Sequence, residues 1–313
     1  MINEYLKNYP FLISDGAFST ELERKGFAIN DPLWSAIALY QRPDLIKAVH
    51  ASYYEAGSDI VTSSSYQATI PGFISKGFTE EEAEALLLKS VTLVKEARDE
   101  FVKTHPLHHR PSPLTAASVG PYGAYLADGS EYKGHYGKTR EELSNFHRRR
   151  LHVLTKGEPD LFACETIPCL IEALAITDVL KEIEGAAAWI SFSCKDGKTT
   201  TEDDLIADCA KALDGIDEVK AIGINCTAPE HVESLIREIK AHTDKPVIVY
   251  PNSGEEYDAS DKTWHGKGAE YADFVKVWYS AGARILGGCC RTTPEDIRKI
   301  AEFREELIDC HQR

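Results

Sequence analysis

The chain repeats one pattern eight times: a short apolar run that stops at glycine or polar residues, followed by an amphipathic stretch. Continuous apolar runs of this length predict strands that are buried on both faces, which is typical of parallel sheets. Because every strand is followed by a helical pattern, the order of elements constrains the fold more than any other feature. The eight predicted strands are residues 10–17, 59–66, 114–123, 160–166, 187–194, 219–226, 246–252 and 283–290.

The amphipathic stretches between these runs predict helices. The second is the clearest, since Ala83, Leu87 and Val91 recur on one helical face. Thr79 with Glu82, like Thr139 with Glu142, matches a capping box and marks a helix start. Three arginines in the third helix are predicted to face solvent or to form surface ion pairs: Arg148, Arg149 and Arg150. The predicted helices are residues 43–56, 79–102, 139–154, 168–183, 202–213, 229–242, 268–281 and 294–308.

Eight strands alternating with eight helices predict a single (β/α)8 TIM barrel, and an open doubly wound sheet is the alternative. Linkers rich in Pro, Gly and Ser are absent from the sequence, so residues 1–313 are predicted to form one domain. Three long connections follow strand carboxyl ends, at residues 67–78, 120–138 and 252–267. That end of a barrel carries the active site, so functional residues are expected there.

Charge and hydropathy narrow the classes of partner. The net charge of −15 over 313 residues and a pI near 5.2 argue against nucleic acid as a partner. Residues 1–10 are too polar for a signal peptide, and apolar runs stay short of the ~18 residues that span a bilayer. We therefore expect a cytoplasmic protein with no membrane contact, while the sequence carries no signal for its oligomeric state.

Three of the eight cysteines lie where a predicted strand ends and a helix begins. Cys226 ends the sixth strand, and Cys289 with Cys290 ends the eighth. A helix amino terminus favours the thiolate form, although cysteine often only fills space in a core. In a closed barrel these strands can direct three thiolates at one point, which suits zinc. Structural zinc sites usually have four ligands with a CxxC spacing, so a catalytic zinc with one open position is favoured.

The donor set limits the chemistry of such a zinc. Three thiolates make the ion electron-rich, so it activates water poorly compared with histidine-rich hydrolytic sites. It is better suited to bind a thiolate brought by a substrate, whose sulfur then stays nucleophilic at neutral pH. The reaction partner of that sulfur would be an electrophilic alkyl group.

Motifs along the whole chain carry a family resemblance. They are DGAFSTELERKG at 15–26, SYQAT at 65–69, SVGPYGAYLADGSEY at 118–132, ACETIP at 163–168, GINC at 223–226, VIVYPNSGE at 247–255, KTWHG at 262–266 and GGCCRTTP at 287–294. With these motifs the chain resembles the homocysteine S-methyltransferase family, and within it the members that use S-methylmethionine or S-adenosylmethionine. The resemblance implies zinc-dependent methyl transfer to L-homocysteine, forming methionine, with Cys226, Cys289 and Cys290 as zinc ligands.

The same resemblance assigns substrate residues. Asp15 and Glu165 resemble the carboxylates that receive the homocysteine amino group, with the Gly16 backbone nearby. Tyr66 resembles an active-site tyrosine, and Asn225 is assigned to the substrate site beside the cysteines. Each has a structural alternative: a turn or cap for Asp15, packing at the barrel mouth for Tyr66, a loop cap for Asn225. Further aromatic candidates for binding a sulfonium cation, or for packing alone, are Tyr122, Tyr125, Tyr132 and Trp264.

Other functions remain open at this point. Within the same chemistry, betaine could be the methyl donor, or selenocysteine the acceptor. A zinc- or redox-sensing protein would use Cys289 and Cys290 as a switch, and a barrel hydrolase would use zinc-activated water. The sequence shows no cobalamin or folate module, which disfavours a folate-driven methionine synthase.

Overall fold

Eight parallel strands form the centre of the protein. The computed structural model describes residues 2–28, 33–107, 110–254, 256–258, 263–265 and 271–312. A short antiparallel hairpin, β8 (Glu256–Asp258) with β9 (Thr263–His265), interrupts the repeat before the last of the eight. The eight are β1 (Leu12–Ile13), β2 (Ile60–Thr62), β3 (Leu114–Val119), β4 (Leu161–Ile167), β5 (Ala188–Phe192), β6 (Val219–Asn225), β7 (Val247–Tyr250) and β10 (Ala283–Leu286).

The strand order shows a barrel rather than an open sheet. Neighbours follow the order β1-β10-β7-β6-β5-β4-β3-β2, and each pair is parallel. A parallel bridge between Ser14 and Ile60 joins the two ends of this order, supported by the Asp59 backbone N–H, which donates to the Ile13 carbonyl at 2.7 Å. The predicted (β/α)8 barrel is therefore confirmed, and the doubly wound alternative is wrong.

The predicted helices are all present, most within a few residues of their expected bounds. Both capping boxes form, at Thr79 with Glu82 and at Thr139 with Glu142. The predicted start at residue 268 lies outside the described residues. The helices are α1 (Ile2–Tyr5), α2 (Phe18–Arg24), α3 (Ala38–Gln41), α4 (Pro43–Ala56), α5 (Ile70–Ser75), α6 (Glu80–Thr104), α7 (Tyr122–Leu126), α8 (Arg140–Thr155), α9 (Leu170–Leu180), α10 (Ile206–Asp214), α11 (Pro229–Lys240), α12 (Tyr271–Ala281) and α13 (Pro294–Gln312).

Two of the long connections contain short helices that the sequence did not predict. Residues 67–78 include α5, and residues 120–138 include α7 and a 3-10 turn at Ser130–Tyr132. Such elements span fewer than two turns, so they have no room for a recurring apolar face. Their presence gives the connection after β3 a defined shape over the carboxyl end of the barrel. Within the described part of the chain, none of the helices combines the length and apolar character that crossing a bilayer requires.

The barrel interior is filled by side chains below the carboxyl end. Trp189 is fully buried there, and its indole N–H donates to the Tyr250 hydroxyl at 2.9 Å. Small residues on neighbouring strands, Ala116, Ala163 and Ala221, leave room for the large ring. The opposite end is closed by Ile2 of α1, which packs into the same cluster. Any substrate must therefore approach from the carboxyl ends of the strands.

One of the three consecutive arginines departs from prediction. Arg148 pairs with Glu182, and Arg149 with Glu80 and Glu84, at the surface as expected. Arg150 is only 3 % exposed and donates to the Gly120 carbonyl. It lies on the α8 face that packs inward, and the buried Glu172–His147 pair lies next to it. The prediction that Arg150 faces solvent was wrong. Its position in α8 places it on the buried face of the helix, although arginine usually prefers contact with water.

Gly223 in β6 permits the close approach of β7. A Cβ added at Gly223 would lie 2.6 Å from the Ile248 carbonyl carbon, and backbone cannot yield as a side chain end can. We expect Gly223→Ala to lower the free energy of unfolding by about 3 kcal/mol or more. Urea unfolding measures this, with Gly215→Ala as control because that position has open space. Equal stability of the two variants would contradict the account.

Candidate active site

Three cysteine sulfurs meet at the carboxyl ends of β6 and β10. The Sγ atoms of Cys226, Cys289 and Cys290 all lie within 4.8 Å of one another, and all three residues are half-buried. Cys226 Sγ and Cys290 Sγ are 3.9 Å apart, close to the about 3.8 Å that separates two sulfurs in a tetrahedron with 2.3 Å zinc–sulfur bonds. Cys226 and Cys289 are in disulfide contact, with Cα atoms 5.6 Å apart. Binding a metal requires both in the reduced, thiolate form.

Local backbone geometry directs these sulfurs. Cys226 has φ 45°, in the left-handed region that L residues rarely adopt. The Cys289 backbone N–H donates to the Pro251 carbonyl at 2.8 Å, and the Thr292 hydroxyl donates to the Cys289 carbonyl at 2.6 Å. The Gly288 N–H donates to the Asp15 carbonyl at 2.9 Å. The cysteine pair is thus held between β7 and the residues that follow β1.

Asn225 links the cysteines to the neighbouring strands. Its amide oxygen accepts from the Thr166 N–H at 2.7 Å and from the Ser191 hydroxyl at 2.9 Å. Its amide nitrogen donates to the Thr166 hydroxyl at 2.7 Å and faces Cys289 Sγ at 3.9 Å. The side chain therefore does more than cap its own loop. A donor aimed at a thiolate sulfur stabilises the charged form of that sulfur.

Two buried carboxylates lie at the same end of the barrel. Burial, and to a smaller extent the charge of Asp15, raises the pKa of Glu165 to about 7, although the hydrogen bond from the Ser118 hydroxyl opposes the shift. Burial also raises the pKa of Asp15, to about 6, against hydrogen bonds from Thr62. The charge of Asp15 thus disfavours ionisation of Glu165, and a nearby cation would favour the charged form of both carboxylates.

Asp15 also has a structural role at the barrel seam. Its Oδ2 accepts from the Thr62 N–H at 2.8 Å and from the Thr62 hydroxyl at 2.9 Å, which ties β1 to β2. Gly16 follows in a crowded position, where an added Cβ would lie 2.9 Å from the Tyr53 ring. The backbone here can accept no side chain without displacing Tyr53.

Comparison with known proteins decides the family. The model of the family described as "Homocysteine S-methyltransferase" matches residues 12–304 of the 313. The chain belongs to the homocysteine S-methyltransferase family. It is 50% identical to "Homocysteine S-methyltransferase YbgG" of Bacillus subtilis (strain 168), covering 98% of each chain, and 50% identical to "Homocysteine S-methyltransferase 2" of Arabidopsis thaliana, covering 93% and 92%. The predicted resemblance is confirmed, and the chain is an enzyme of the methyltransferase class.

Solved structures of a relative share the whole fold. The homocysteine methyltransferase MmuM from Escherichia coli superposes with TM-score 0.88 in both a metallated form, 39% identical, and an oxidized form, 40% identical. Each match covers 96% of this chain and 99% of the other. A homocysteine S-methyltransferase barrel is therefore known with a metal.

Among the aromatic candidates, the structure separates two settings. Tyr122 and Tyr125 pack against Phe146 of α8, with ring centroids 5.0 and 5.5 Å away, as packing residues do. Tyr66 has a buried hydroxyl without a hydrogen-bond partner among the described residues, and the Tyr132 hydroxyl lies 4.0 Å from Cys226 Sγ. These two rings lie at the cysteine cluster. The side chain of Trp264 lies outside the part of the chain that the structure describes.

Sequence reasoning missed two residues of this candidate site. Ser118 and Thr62 hold the two carboxylates. Both lie near strand carboxyl ends, so the reasoning that selected Cys226 could have found them. Thr166, with φ 60°, is held by Asn225. Glu131 lies in the Ser130–Tyr132 turn of a connection, where strand ends give no signal.

Proposed function

We propose that this enzyme transfers a methyl group from a sulfonium donor, S-methylmethionine or S-adenosylmethionine, to the sulfur of L-homocysteine in a zinc-dependent reaction that forms methionine. The observation that carries the proposal is the convergence of Cys226, Cys289 and Cys290 at an open barrel mouth. The names of its relatives support homocysteine as the acceptor. We further propose that residues 1–313 act as one domain in the cytoplasm, where ligand thiols stay reduced.

The cysteine cluster fits a zinc ion. Cys226, Cys289 and Cys290 would hold it as thiolates, and an all-sulfur donor set is one that zinc prefers. The metallated form of the Escherichia coli relative supports a metal in this family. When bound, zinc lowers the pKa of a substrate thiol and so supplies the homocysteine sulfur as a thiolate. Asn225, with its amide facing Cys289 Sγ, would limit the negative charge on the ligands.

Asp15 and Glu165 would bind the homocysteine ammonium group. Both carboxylates are buried, and the charge of Asp15 raises the pKa of Glu165, so a cation between them would stabilise both charges. The Ser118 hydroxyl fixes Glu165, and Thr62 fixes Asp15, so the ammonium is held at a defined place. A fixed ammonium positions the sulfur at the other end of the short substrate for attack.

The transfer balances without any further reactant. The homocysteine thiolate attacks the methyl carbon of the donor in line with the bond that breaks. A new carbon–sulfur bond forms, and the electron pair of the broken bond stays on the donor sulfur. S-methylmethionine then yields one methionine as leaving group and one as methylated acceptor. The thiol proton passes to solvent when homocysteine binds. The donor sulfur leaves as a neutral thioether, so the chain needs no catalytic acid for the leaving group.

The pH dependence of homocysteine use should show these carboxylates. Because both pKa values are raised, the folded enzyme binds these two protons more tightly than the unfolded chain does. The resulting contribution to the free energy of unfolding is present at low pH and is lost as pH rises through about 6 to 7. Binding an ammonium needs the ionised forms. We therefore expect kcat/KM for homocysteine to fall as pH decreases through about 7 and then 6, as two coupled steps.

A thiol without an amino group isolates that effect. With 4-mercaptobutyrate as acceptor, the limb that comes from Asp15 and Glu165 should disappear, whereas pH effects on the thiol remain. The measurement is kcat/KM against pH for both acceptors. An identical acid limb for the two would show that the carboxylates do not bind the amino group.

A donor screen tests the proposed reaction against its alternatives. Zinc-loaded enzyme with homocysteine is given S-methylmethionine, S-adenosylmethionine or betaine, and methionine is measured; selenocysteine replaces homocysteine in a parallel series. We expect methionine from homocysteine with a sulfonium donor. Turnover of substrate without any methyl donor would indicate a hydrolase. Absence of methyl transfer with every donor and acceptor would overturn the proposal and favour a sensor.

A further inference from the structure

Glu131 is a third buried carboxylate at the barrel mouth. It lies in the Ser130–Tyr132 turn of the connection after β3, and the residue is 8 % exposed. Its Oε2 atom is buried, and the described residues offer it neither a hydrogen bond nor an ion pair. Burial raises the pKa of this carboxyl, as expected for an acid without a cation. Such a group is costly to keep unless a ligand pairs with it.

Glu131 acts electrostatically on the two tyrosines at the cysteine cluster. Burial raises the pKa of the Tyr66 phenol, and the charge of Glu131 is the next largest cause. Glu131 also raises the pKa of Tyr132, after burial, Cys290 and Tyr66. As a residue Tyr132 is 43 % exposed, and its hydroxyl lies 4.0 Å from Cys226 Sγ. A carboxylate with one unpaired, buried oxygen thus lies near two phenols, and the Tyr132 phenol lies beside the thiols.

The turn is fixed in this position. The Ser193 hydroxyl donates to the Glu131 carbonyl at 3.5 Å, which links the turn to the end of β5. An added Cβ on Gly123 would collide with the turn backbone, so α7 and the turn are in close contact. At the start of the same connection, the Arg150 guanidinium donates to the Gly120 carbonyl. A carboxylate on a fixed turn can act as a binding group without a costly rearrangement.

We propose that Glu131 is a specificity residue for the methyl donor, with its carboxylate against the sulfonium centre and the Tyr66 and Tyr132 rings beside it. The inference rests on the proposed function, because it assumes a cationic donor. A carboxylate attracts the positive charge directly, and aromatic faces add cation–π attraction. A neutral molecule of the same shape gains neither.

This role predicts a particular kinetic signature. The positive charge on the donor sulfur disappears during methyl transfer, so Glu131 stabilises the bound donor at least as strongly as the transition state. Removing its charge should therefore raise the KM of the donor about tenfold while kcat stays the same or rises slightly. The KM of homocysteine should not change. A residue needed only for folding would alter kcat or both KM values.

Direct binding provides the decisive test. S-methylmethionine and its carbon isostere, 2-amino-5-methylhexanoic acid, differ only in the sulfonium sulfur, which is a CH group in the isostere. We expect wild type to bind the sulfonium more tightly and Glu131→Gln to weaken that binding about tenfold without affecting the isostere. Glu131→Asp keeps the charge and should keep the preference. Glu141→Gln removes an exposed charge at the start of α8 and should behave as wild type.

The other outcomes are distinct. Equal weakening of both ligands in Glu131→Gln would overturn the inference, because the carboxylate would then bind the donor amino group. Unchanged binding of both would also overturn it. If wild type bound no sulfonium and formed no methionine from one, the proposed function itself would fail, and this inference with it.

Discussion

Alanine at any one of Cys226, Cys289 or Cys290 is expected to remove the metal and reduce methionine formation by more than about 100-fold. Substitutions of residues that hydrogen-bond to metal ligands typically lower metal affinity or activity 10- to 100-fold, and the loss of one of three ligands should lower them more. The three sulfurs lie within 4.8 Å of one another, so none has a nearby substitute. The measurement combines metal content per chain with the rate of methionine formation.

The control for this series is Cys310→Ala. Cys310 is exposed in α13, remote in sequence from the strand ends, and its loss should affect neither zinc nor rate. All proteins must be prepared with a reductant, because Cys226 and Cys289 are in disulfide contact. A Cys290→Ala variant with full activity would contradict the assignment of the cluster, whatever its metal content.

Glu165→Gln is expected to keep its zinc and to raise the KM of homocysteine about 100-fold. Removing one partner of a buried charge pair typically costs roughly 2 to 5 kcal/mol, and about 2.7 kcal/mol corresponds to that factor. Glutamine keeps the size of the side chain and can still accept from the Ser118 hydroxyl, so the fold should be unaffected. The variant therefore separates substrate binding from metal binding.

A truncated acceptor provides the matched control for Glu165. Wild type should use homocysteine far better than 4-mercaptobutyrate, which lacks the amino group. In Glu165→Gln the advantage of homocysteine should shrink by about the same 100-fold, because only the interaction with the ammonium has been lost. An unchanged preference in the variant would remove Glu165 from the substrate site.

Periodicity explains why so much of the barrel could be predicted. Apolar runs such as ARIL before Cys289, and helical faces such as that of Ala83 and Leu87, encode strands and helices locally. The order of these elements then leaves few topologies. Short helices such as α5 and α7 were not predicted because five or six residues are too few to show a helical period. The burial of Arg150 was not predicted because the charge of arginine suggested solvent exposure, although its position on α8 faces inward.

The cysteine cluster could be predicted for a similar reason, but its surroundings could not. Cys226 and Cys289 each follow the end of a strand, and the barrel brings strand ends together. The left-handed backbone of Cys226 and the four contacts of Asn225 depend on tertiary structure. Glu131 lies in a turn whose position follows from contacts with β5 and α7. No local pattern encodes such contacts.

X-ray absorption at the zinc edge tests the central claim most directly. Purified, reduced enzyme should contain about one zinc per chain with three sulfur ligands from the protein. Addition of homocysteine should raise the count to four sulfurs, while methionine, whose sulfur is methylated, should not. A chain that is fully active without zinc, or a sulfur count that homocysteine leaves unchanged, would contradict the account.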